Sequence, residues 1–143
     1  MLEKMIRSQT AKQEQQLESF LARHDAANPF PEDVLLTADA DYMGDGRPCH
    51  RMDIFRPREA KEALPVLVNI HGGGFLLGKK EVNRLFCADM CRRGFVVFCL
   101  EYPLVPDVDI FTVFRALTAG IERAAALAPD FGGDASKLFL CGD

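Results

Sequence analysis

The stretch that decides the fold runs from Pro65 to Phe75 and reads Pro-Val-Leu-Val-Asn-Ile-His-Gly-Gly-Gly-Phe. Its first six residues form a nearly continuous apolar run, which is typical of a strand buried on both faces of a parallel sheet. Three glycines follow almost at once. Because glycine costs backbone entropy, three in succession indicate an unusual backbone conformation or a close approach. Such a loop lies at the carboxyl end of a parallel strand, where open α/β sheets bind their ligands.

Two further apolar runs, Phe95 to Leu100 and Lys137 to Cys141, predict two more buried strands. Helical patterns precede them, from about Val82 to Arg93 and from about Ile110 to Leu127. Buried strands that are joined by helices indicate a parallel sheet with right-handed crossovers. The fold class is therefore predicted to be α/β.

The apolar spacing of these two helices predicts which side chains face the core. In the first helix they are Leu85, Phe86 and Met90. In the second they are spaced by three or four residues, and they are Ile110, Phe114, Leu117, Ile121 and Ala124. Asp107 and Asp109 precede the second helix and are candidate caps for it.

Residues 1–32 are predicted to form an N-terminal helix and a linker, which Asn28-Pro29-Phe30-Pro31 forces into an extended conformation. Residues 33–143 form the main domain. It opens with two antiparallel strands, Val34 to Ala38 and Cys49 to Phe55, around an Asp-Gly turn signal.

Composition excludes several classes of function. The chain has 143 residues and a net charge of −4 with both signs interspersed, which argues against a nucleic-acid partner. No run approaches the roughly 20 apolar residues that a membrane span needs. The charged first seven residues do not fit a signal peptide, and five cysteines in mostly apolar segments suit reduced thiols, so we expect a cytoplasmic protein. No cysteine or histidine pairs complete a zinc site, so no metal is expected.

The glycine loop has three interpretations from its residues alone. Backbone N–H groups freed by the loop can point at one developing negative charge, as an oxyanion hole requires. Residues 73–79 also satisfy most of a phosphate-binding loop, but Lys80 stands where serine or threonine must hold magnesium. The dinucleotide pattern fails because Leu77 occupies its third glycine position. A purely structural tight turn is the remaining alternative.

Three motifs carry a resemblance to a known family. Residues 71–75, His-Gly-Gly-Gly-Phe, look like the H-G-G-G element of lipases and esterases. Residues 101–107 resemble the Y-R-L-A-P-E stretch of the hormone-sensitive-lipase family, although Pro103 replaces the usual arginine. Residues 134–138, followed by Cys-Gly-Asp at 141–143, resemble the approach to the family's G-D-S-A-G-G nucleophile elbow. The resemblance covers the chain from about residue 33 onwards, and the N-terminal helix is similar to the family's cap region.

The resemblance implies the N-terminal part of an α/β-hydrolase fold and a serine carboxylic-ester hydrolase that needs no cofactor. By position, Gly73 and Gly74 would donate two N–H groups to the oxyanion. A small to medium acyl ester would be the substrate. The other implied residues are a pocket lining of Phe75, Leu76 and Leu77, a bracing His71 with Gly72, and the first two elbow residues, Gly142 and Asp143.

The serine, acid and histidine of the resembled family lie beyond Asp143. We therefore expect these 143 residues to be inactive by themselves. The rest of the fold would come from a longer chain or from a second polypeptide. Two alternatives stay open, which are a non-catalytic ligand-binding α/β-hydrolase homologue and an inactive fragment. A homo-oligomer is also compatible with the sequence.

Overall fold

The computed structural model describes Met1 and residues 4–143 in full, and residues 2 and 3 by their backbone alone. Its helices and strands follow in the order α1 (Leu2–Ala27), β1 (Val34–Asp41), β2 (Arg51–Pro57), β3 (Leu64–Ile70), α2 (Arg84–Arg92), β4 (Val96–Leu100), α3 (Ile110–Leu127) and β5 (Gly133–Gly142). Short 3-10 turns precede β2, α2 and β5. The predicted α/β class is confirmed. Among the described residues, no helix has both the length and the apolar character needed to cross a bilayer.

The five strands form one mixed sheet in the order β1-β2-β4-β3-β5. The pairs β1–β2 and β2–β4 are antiparallel, whereas β3 pairs in parallel with both β4 and β5. The carboxyl end of β3 therefore lies between those of β4 and β5. This placement brings the glycine loop next to Glu101, which follows β4, and to Asp143, which follows β5.

Apolar side chains alternate between the two faces of the sheet, which explains the continuous apolar runs in the sequence. One face packs against α3, and its buried residues include Met52, Ile54, Val66, Val68, Phe98, Leu100, Val113 and Leu117. The opposite face packs against α2, and its buried residues include Val34, Phe55, Leu67, Cys87, Ala88, Cys91, Val97 and Cys99. The sheet is thus the middle layer between two helices.

Helix α3 begins where the sequence predicts. Asp109 is its N-cap, and the carboxylate accepts a hydrogen bond of 2.7 Å from the Thr112 backbone N–H. That bond holds the pKa of Asp109 below its usual range. Asp107 does not cap the helix, and it forms an ion pair with Arg7 of α1 instead.

The predicted buried faces of both later helices need correction. In α2 the buried side chains are Cys87, Ala88 and Cys91, while Phe86 is 47% exposed. The helix starts two residues later than predicted, after a 3-10 turn, and it packs on the sheet through its small side chains. In α3 Phe114 is 49% exposed, and Val113 is buried in its place.

Strand β5 was predicted to be buried, and in the structure it is an edge strand. Phe139 is 55% exposed and Leu140 is 56% exposed, because no strand of this chain lies beyond β5. The strand is also longer than predicted, since Gly133 and Asp134 already pair with the start of β3. An open apolar edge of this kind is a surface that further strands normally cover.

Replacing Phe98 with alanine should lower the free energy of unfolding by about 3–5 kcal/mol, because its fully buried ring leaves a cavity. Phe111→Ala removes the same ring from a site that is 69% exposed, and it should change stability by no more than about 0.5 kcal/mol. Urea unfolding followed by circular dichroism measures both. Equal losses in the two variants would contradict this account of the core.

Candidate functional site

The glycine loop connects β3 to the 3-10 turn Lys80–Asn83, and its backbone conformation depends on glycine at two positions. Gly73 has a φ of +120° and Gly78 a φ of +109°. A Cβ atom at Gly73 would lie 1.9 Å from the Leu77 carbonyl oxygen, and one at Gly78 would lie 2.4 Å from that of Gly72. Both distances are far inside van der Waals contact, so no other residue fits either position without rearranging the loop.

Within the described part of the chain, several backbone N–H groups of this loop have no hydrogen-bond acceptor. Among them are those of Gly73 and Gly74, which are both exposed at the carboxyl end of β3. The N–H of Gly72, by contrast, donates to the Asp143 side chain at 3.0 Å. Free, adjacent N–H groups held on a tight loop can bind an oxygen that carries negative charge.

His71 is buried at the start of the loop, and both of its ring nitrogens face oxygen atoms. Nδ1 lies 2.9 Å from the Gly72 carbonyl oxygen, and Nε2 lies 2.8 Å from Oε1 of Glu101. The Tyr102 ring stacks on the imidazole at 4.2 Å between centroids, and its hydroxyl donates to the His71 carbonyl at 2.6 Å. The side chain is therefore held by the protein on every polar atom and on one ring face.

Glu101 contacts both ends of the loop, and it is one of the site residues that the sequence pattern does not predict. Oε1 of its carboxylate accepts from His71 Nε2 and, at 3.2 Å, from the Tyr102 backbone N–H. The other oxygen, Oε2, accepts from the Lys80 backbone N–H at 3.1 Å. One carboxylate thus joins residues 71 and 80, which are the two ends of the glycine loop. The available signal was an acidic residue directly after a buried strand at the same sheet edge.

Lys80 fixes the far end of the loop a second time, through its side chain. Its buried ammonium lies 2.9 Å from Asp39 Oδ1, 2.9 Å from Asp53 Oδ1 and 2.6 Å from Glu81 Oε1. Burial by itself lowers the pKa of Lys80, but the three carboxylates outweigh it and raise the pKa above its usual range. For Glu81, burial by itself raises the pKa, but the hydrogen bond from the Lys80 ammonium outweighs burial. The pKa of Glu81 therefore lies below its usual range. The loop is therefore anchored to β1 and β2.

A cavity of about 440 Å³ opens in front of the loop. Its lining is mostly apolar, and it consists of Ile70, His71, Gly72, Gly74, Phe75, Tyr102, Leu117, Leu140, Cys141, Gly142 and Asp143. The Phe75 ring stands edge-on to Tyr102 and to Phe114, at centroid distances of 6.0 and 5.8 Å. Burial, with smaller contributions from the Glu101 and Asp143 carboxylates, raises the pKa of Tyr102 to about 12. The phenol therefore stays a neutral hydrogen-bond donor at neutral pH.

Most of the residues that the sequence predicts for the site come together around this cavity. Of the predicted pocket residues, Phe75 lines it, whereas Leu76 is exposed and Leu77 half-buried outside it. Gly74 lines the cavity, and Gly73 is next to it in the loop. The bracing and elbow residues that line it are His71, Gly72, Gly142 and Asp143.

All five cysteines are free thiols in the structure, and Cys87, Cys91 and Cys99 are buried. Burial raises the pKa of Cys91 to about 12, so this thiol stays protonated. Within residues 4–143, no three histidine, cysteine or acidic side chains are grouped as a metal ion would require.

Glu101→Gln should destabilise the protein by about 2–3 kcal/mol, because the amide turns a donor towards either His71 or Lys80 and leaves a buried N–H unsatisfied. Glu122→Gln, the same change at an exposed residue, should leave the free energy of unfolding almost unchanged. Equilibrium unfolding measures the loss, and hydrogen exchange of residues 71–80 measures the loosening of the loop. Unchanged exchange in the Glu101 variant would contradict the role of its carboxylate in closing the loop.

Comparison with known proteins places the chain in a family. The BD-FAE family model matches residues 52–143, which include the glycine loop, Glu101 and Asp143. A probable isoprenylcysteine alpha-carbonyl methylesterase of Oryza sativa subsp. japonica is 28% identical over 96 residues, which are 67% of this chain and 23% of that protein. The versiconal hemiacetal acetate esterase of Dothistroma septosporum is 30% identical over 118 residues, 81% of this chain and 34% of that protein.

A solved structure agrees with the fold in detail. Esterase B from Lactobacillus rhamnosis, in a crystal structure with a C4-C4 tributyrin phosphonate inhibitor, superposes with a TM-score of 0.90 at 25% sequence identity. The match covers 99% of this chain and 46% of that one. This chain therefore spans less than half the length of esterase B and about a quarter of the rice methylesterase. The fold is that of the α/β-hydrolases, and the chain belongs to the BD-FAE family of hormone-sensitive-lipase-type esterases.

Proposed function

We propose that this chain supplies the oxyanion-binding loop and the start of the nucleophile elbow of a serine carboxylic-ester hydrolase. The observation that carries the proposal is the pair of unpartnered N–H groups of Gly73 and Gly74 beside an apolar cavity. The loop that presents them is joined at both ends by Glu101. Its esterase relatives support the same class of reaction.

This chain and the downstream residues of the complete fold contribute different groups to the reaction. In the resembled elbow a serine follows Asp143, and its hydroxyl attacks the ester carbonyl while a histidine takes the proton. The carbonyl oxygen becomes negatively charged in the tetrahedral intermediate. The N–H groups of Gly73 and Gly74 donate to that oxygen, and each donor contributes about 3 kcal/mol to the transition state. When the intermediate collapses, the ester C–O bond breaks and the alcohol leaves with the proton that the histidine had taken. Water, deprotonated by the same histidine, then attacks the acyl-serine and releases the carboxylic acid.

The cavity indicates the class of ester. Its lining, with Phe75, Leu117 and Leu140, suits an aliphatic acyl or alcohol group and offers no cation to a charged one. Esterase B, of similar fold, is inhibited by a phosphonate that resembles tributyrin. A small to medium acyl ester is therefore the substrate that we propose. Leu76 and Leu77 would join the pocket only where the rest of the fold covers the loop.

We also propose a cytoplasmic location, since a reducing compartment keeps five thiols free. The complete fold would come from a longer chain or a second polypeptide, which would cover the open edge of β5.

The test is hydrolysis of p-nitrophenyl butyrate by the protein that combines this chain with the downstream half of the fold. We expect turnover there and none from the 143 residues by themselves. Gly74→Ala should lower kcat/KM by about 100-fold. Alanine is strained in the left-handed conformation of this position, and the backbone rotation that relieves the strain turns the N–H away from the oxyanion.

Gly44→Ala is the matched control for that variant. Both glycines have a positive φ, +62° and +72°, and neither would have a Cβ within 4 Å of another group, so the backbone strain is comparable. Gly44 lies in the β1–β2 loop, and its variant should keep full activity. Absence of hydrolysis by the complete protein would favour a ligand-binding homologue. Equal activity of the two variants would contradict the oxyanion role of the loop.

A further inference from the structure

A chain of side-chain amides connects the interior of the sheet to the glycine loop. Asn83 Nδ2 donates to Asp143 Oδ1 at 3.0 Å and to Asn69 Oδ1 at 3.0 Å. The same Asp143 oxygen accepts the Gly72 backbone N–H at 3.0 Å. One carboxylate oxygen thus holds the start of the glycine loop and the side chain of Asn83 together.

The buried end of this chain is fixed. Asn69, in β3, is almost fully buried, and its Nδ2 donates to the Cys141 sulfur at 3.2 Å. Its Oδ1 accepts from Asn83 and also from the Cys99 thiol at 3.4 Å. Asn69 therefore connects β3, β4 and β5 and has little freedom to move.

Asn83 occupies a position where its side chain would ordinarily serve its own helix. It is the N-cap residue of α2, and asparagine is favoured there because its oxygen accepts a hydrogen bond from the first turn. In this protein the side chain makes no such bond, and both of its described hydrogen bonds go to Asn69 and Asp143. The Asn83 side chain thus helps to hold the loop against the end of β5 and does not cap its own helix.

We propose that Asn83 is a positioning residue, which acts through Asp143 to set the separation of the glycine loop from the nucleophile elbow. This inference rests on the proposed esterase function. In that fold the oxyanion receives N–H groups from the loop after one strand and from the elbow after another. The two segments must therefore keep their relative position to within about 0.5 Å.

The contact that Asn83 maintains is already as close as the backbone permits. A Cβ atom at Gly72 would lie 2.7 Å from the Asp143 carbonyl oxygen. Without the amide of Asn83, the Asp143 carboxylate keeps only its hydrogen bond from Gly72 within the part of the chain that the structure describes. The elbow can then shift relative to the loop. A shift beyond the tolerance of about 0.5 Å weakens transition-state binding more than substrate binding.

The experiment uses the complete protein, this chain with its downstream half, and the variants Asn83→Ala and Asn83→Asp. Asn83→Asp keeps the shape and removes both donors. We expect kcat for p-nitrophenyl butyrate to fall about 10- to 100-fold while KM changes less than about twofold. Hydrogen exchange of the Gly72 amide should accelerate by about 10-fold in both variants, because its acceptor is no longer held.

Asn28→Asp is the control, since it makes the same chemical change at an exposed asparagine whose amide, among the described residues, bonds only to the His24 carbonyl. It should leave kcat and the Gly72 exchange unchanged. Thermal unfolding verifies that each variant is folded. If Asn83→Asp does not fold, Asn83→Ala serves as the test, because it adds no charge.

The outcomes separate this inference from the proposed function. A wild-type protein that hydrolyses no ester contradicts the proposed function, while the exchange of Gly72 still reports on Asn83. Folded Asn83 variants with wild-type exchange at Gly72 would overturn the inference, whatever the activity. A rise in KM with kcat unchanged would overturn it as well, because it would make Asn83 a substrate-binding residue.

Discussion

The Glu101 carboxylate is the contact on which the rest of the site depends. A loop with several glycines in left-handed conformations has a high conformational entropy when it is free, and its N–H groups face one point only when its ends are fixed. Glu101 accepts from His71 at one end and from Lys80 at the other. The ion cluster around the Lys80 ammonium then ties that second end to β1 and β2. Buried hydrogen bonds thereby offset the loss of conformational entropy that ordering the loop requires.

The order of the strands makes this closure possible. Because β3 lies between β4 and β5 and runs parallel to both, the residues that follow these three strands meet at one edge of the sheet. Glu101 reaches the loop from one side and Asp143 from the other. The hydrophobic layers under α2 and α3 determine the fold, and the polar contacts at this edge determine the shape of the site.

The sequence predicts the features that depend on local pattern. The α/β class, the parallel strands, the Asp109 cap and the glycine loop all follow from periodicity or from residue types with a fixed conformational preference. Glu101 and Asn83 were missed because their partners lie 30 and 60 positions away along the chain. No local pattern marks such contacts.

The errors in the buried faces have a related cause. Phe86 and Phe114 fit the helical spacing of a core face, but hydrophobicity does not reveal how a helix is rotated against its sheet. In α2 small side chains meet the sheet, which a pattern of large apolar residues cannot predict. The exposure of β5 likewise depends on which strands lie beside it, and its own residues carry no information on that point.

The measurement that tests the central claim most directly is a crystal structure of the complete protein after reaction with a butyl phosphonate ester. The phosphonyl oxygen stands in for the oxyanion of the tetrahedral intermediate. We predict that it lies about 2.7–3.1 Å from the backbone nitrogens of Gly73 and Gly74, with Glu101 still bound to His71 and Lys80. An oxygen held by other donors, with these two N–H groups turned away from it, would contradict the account.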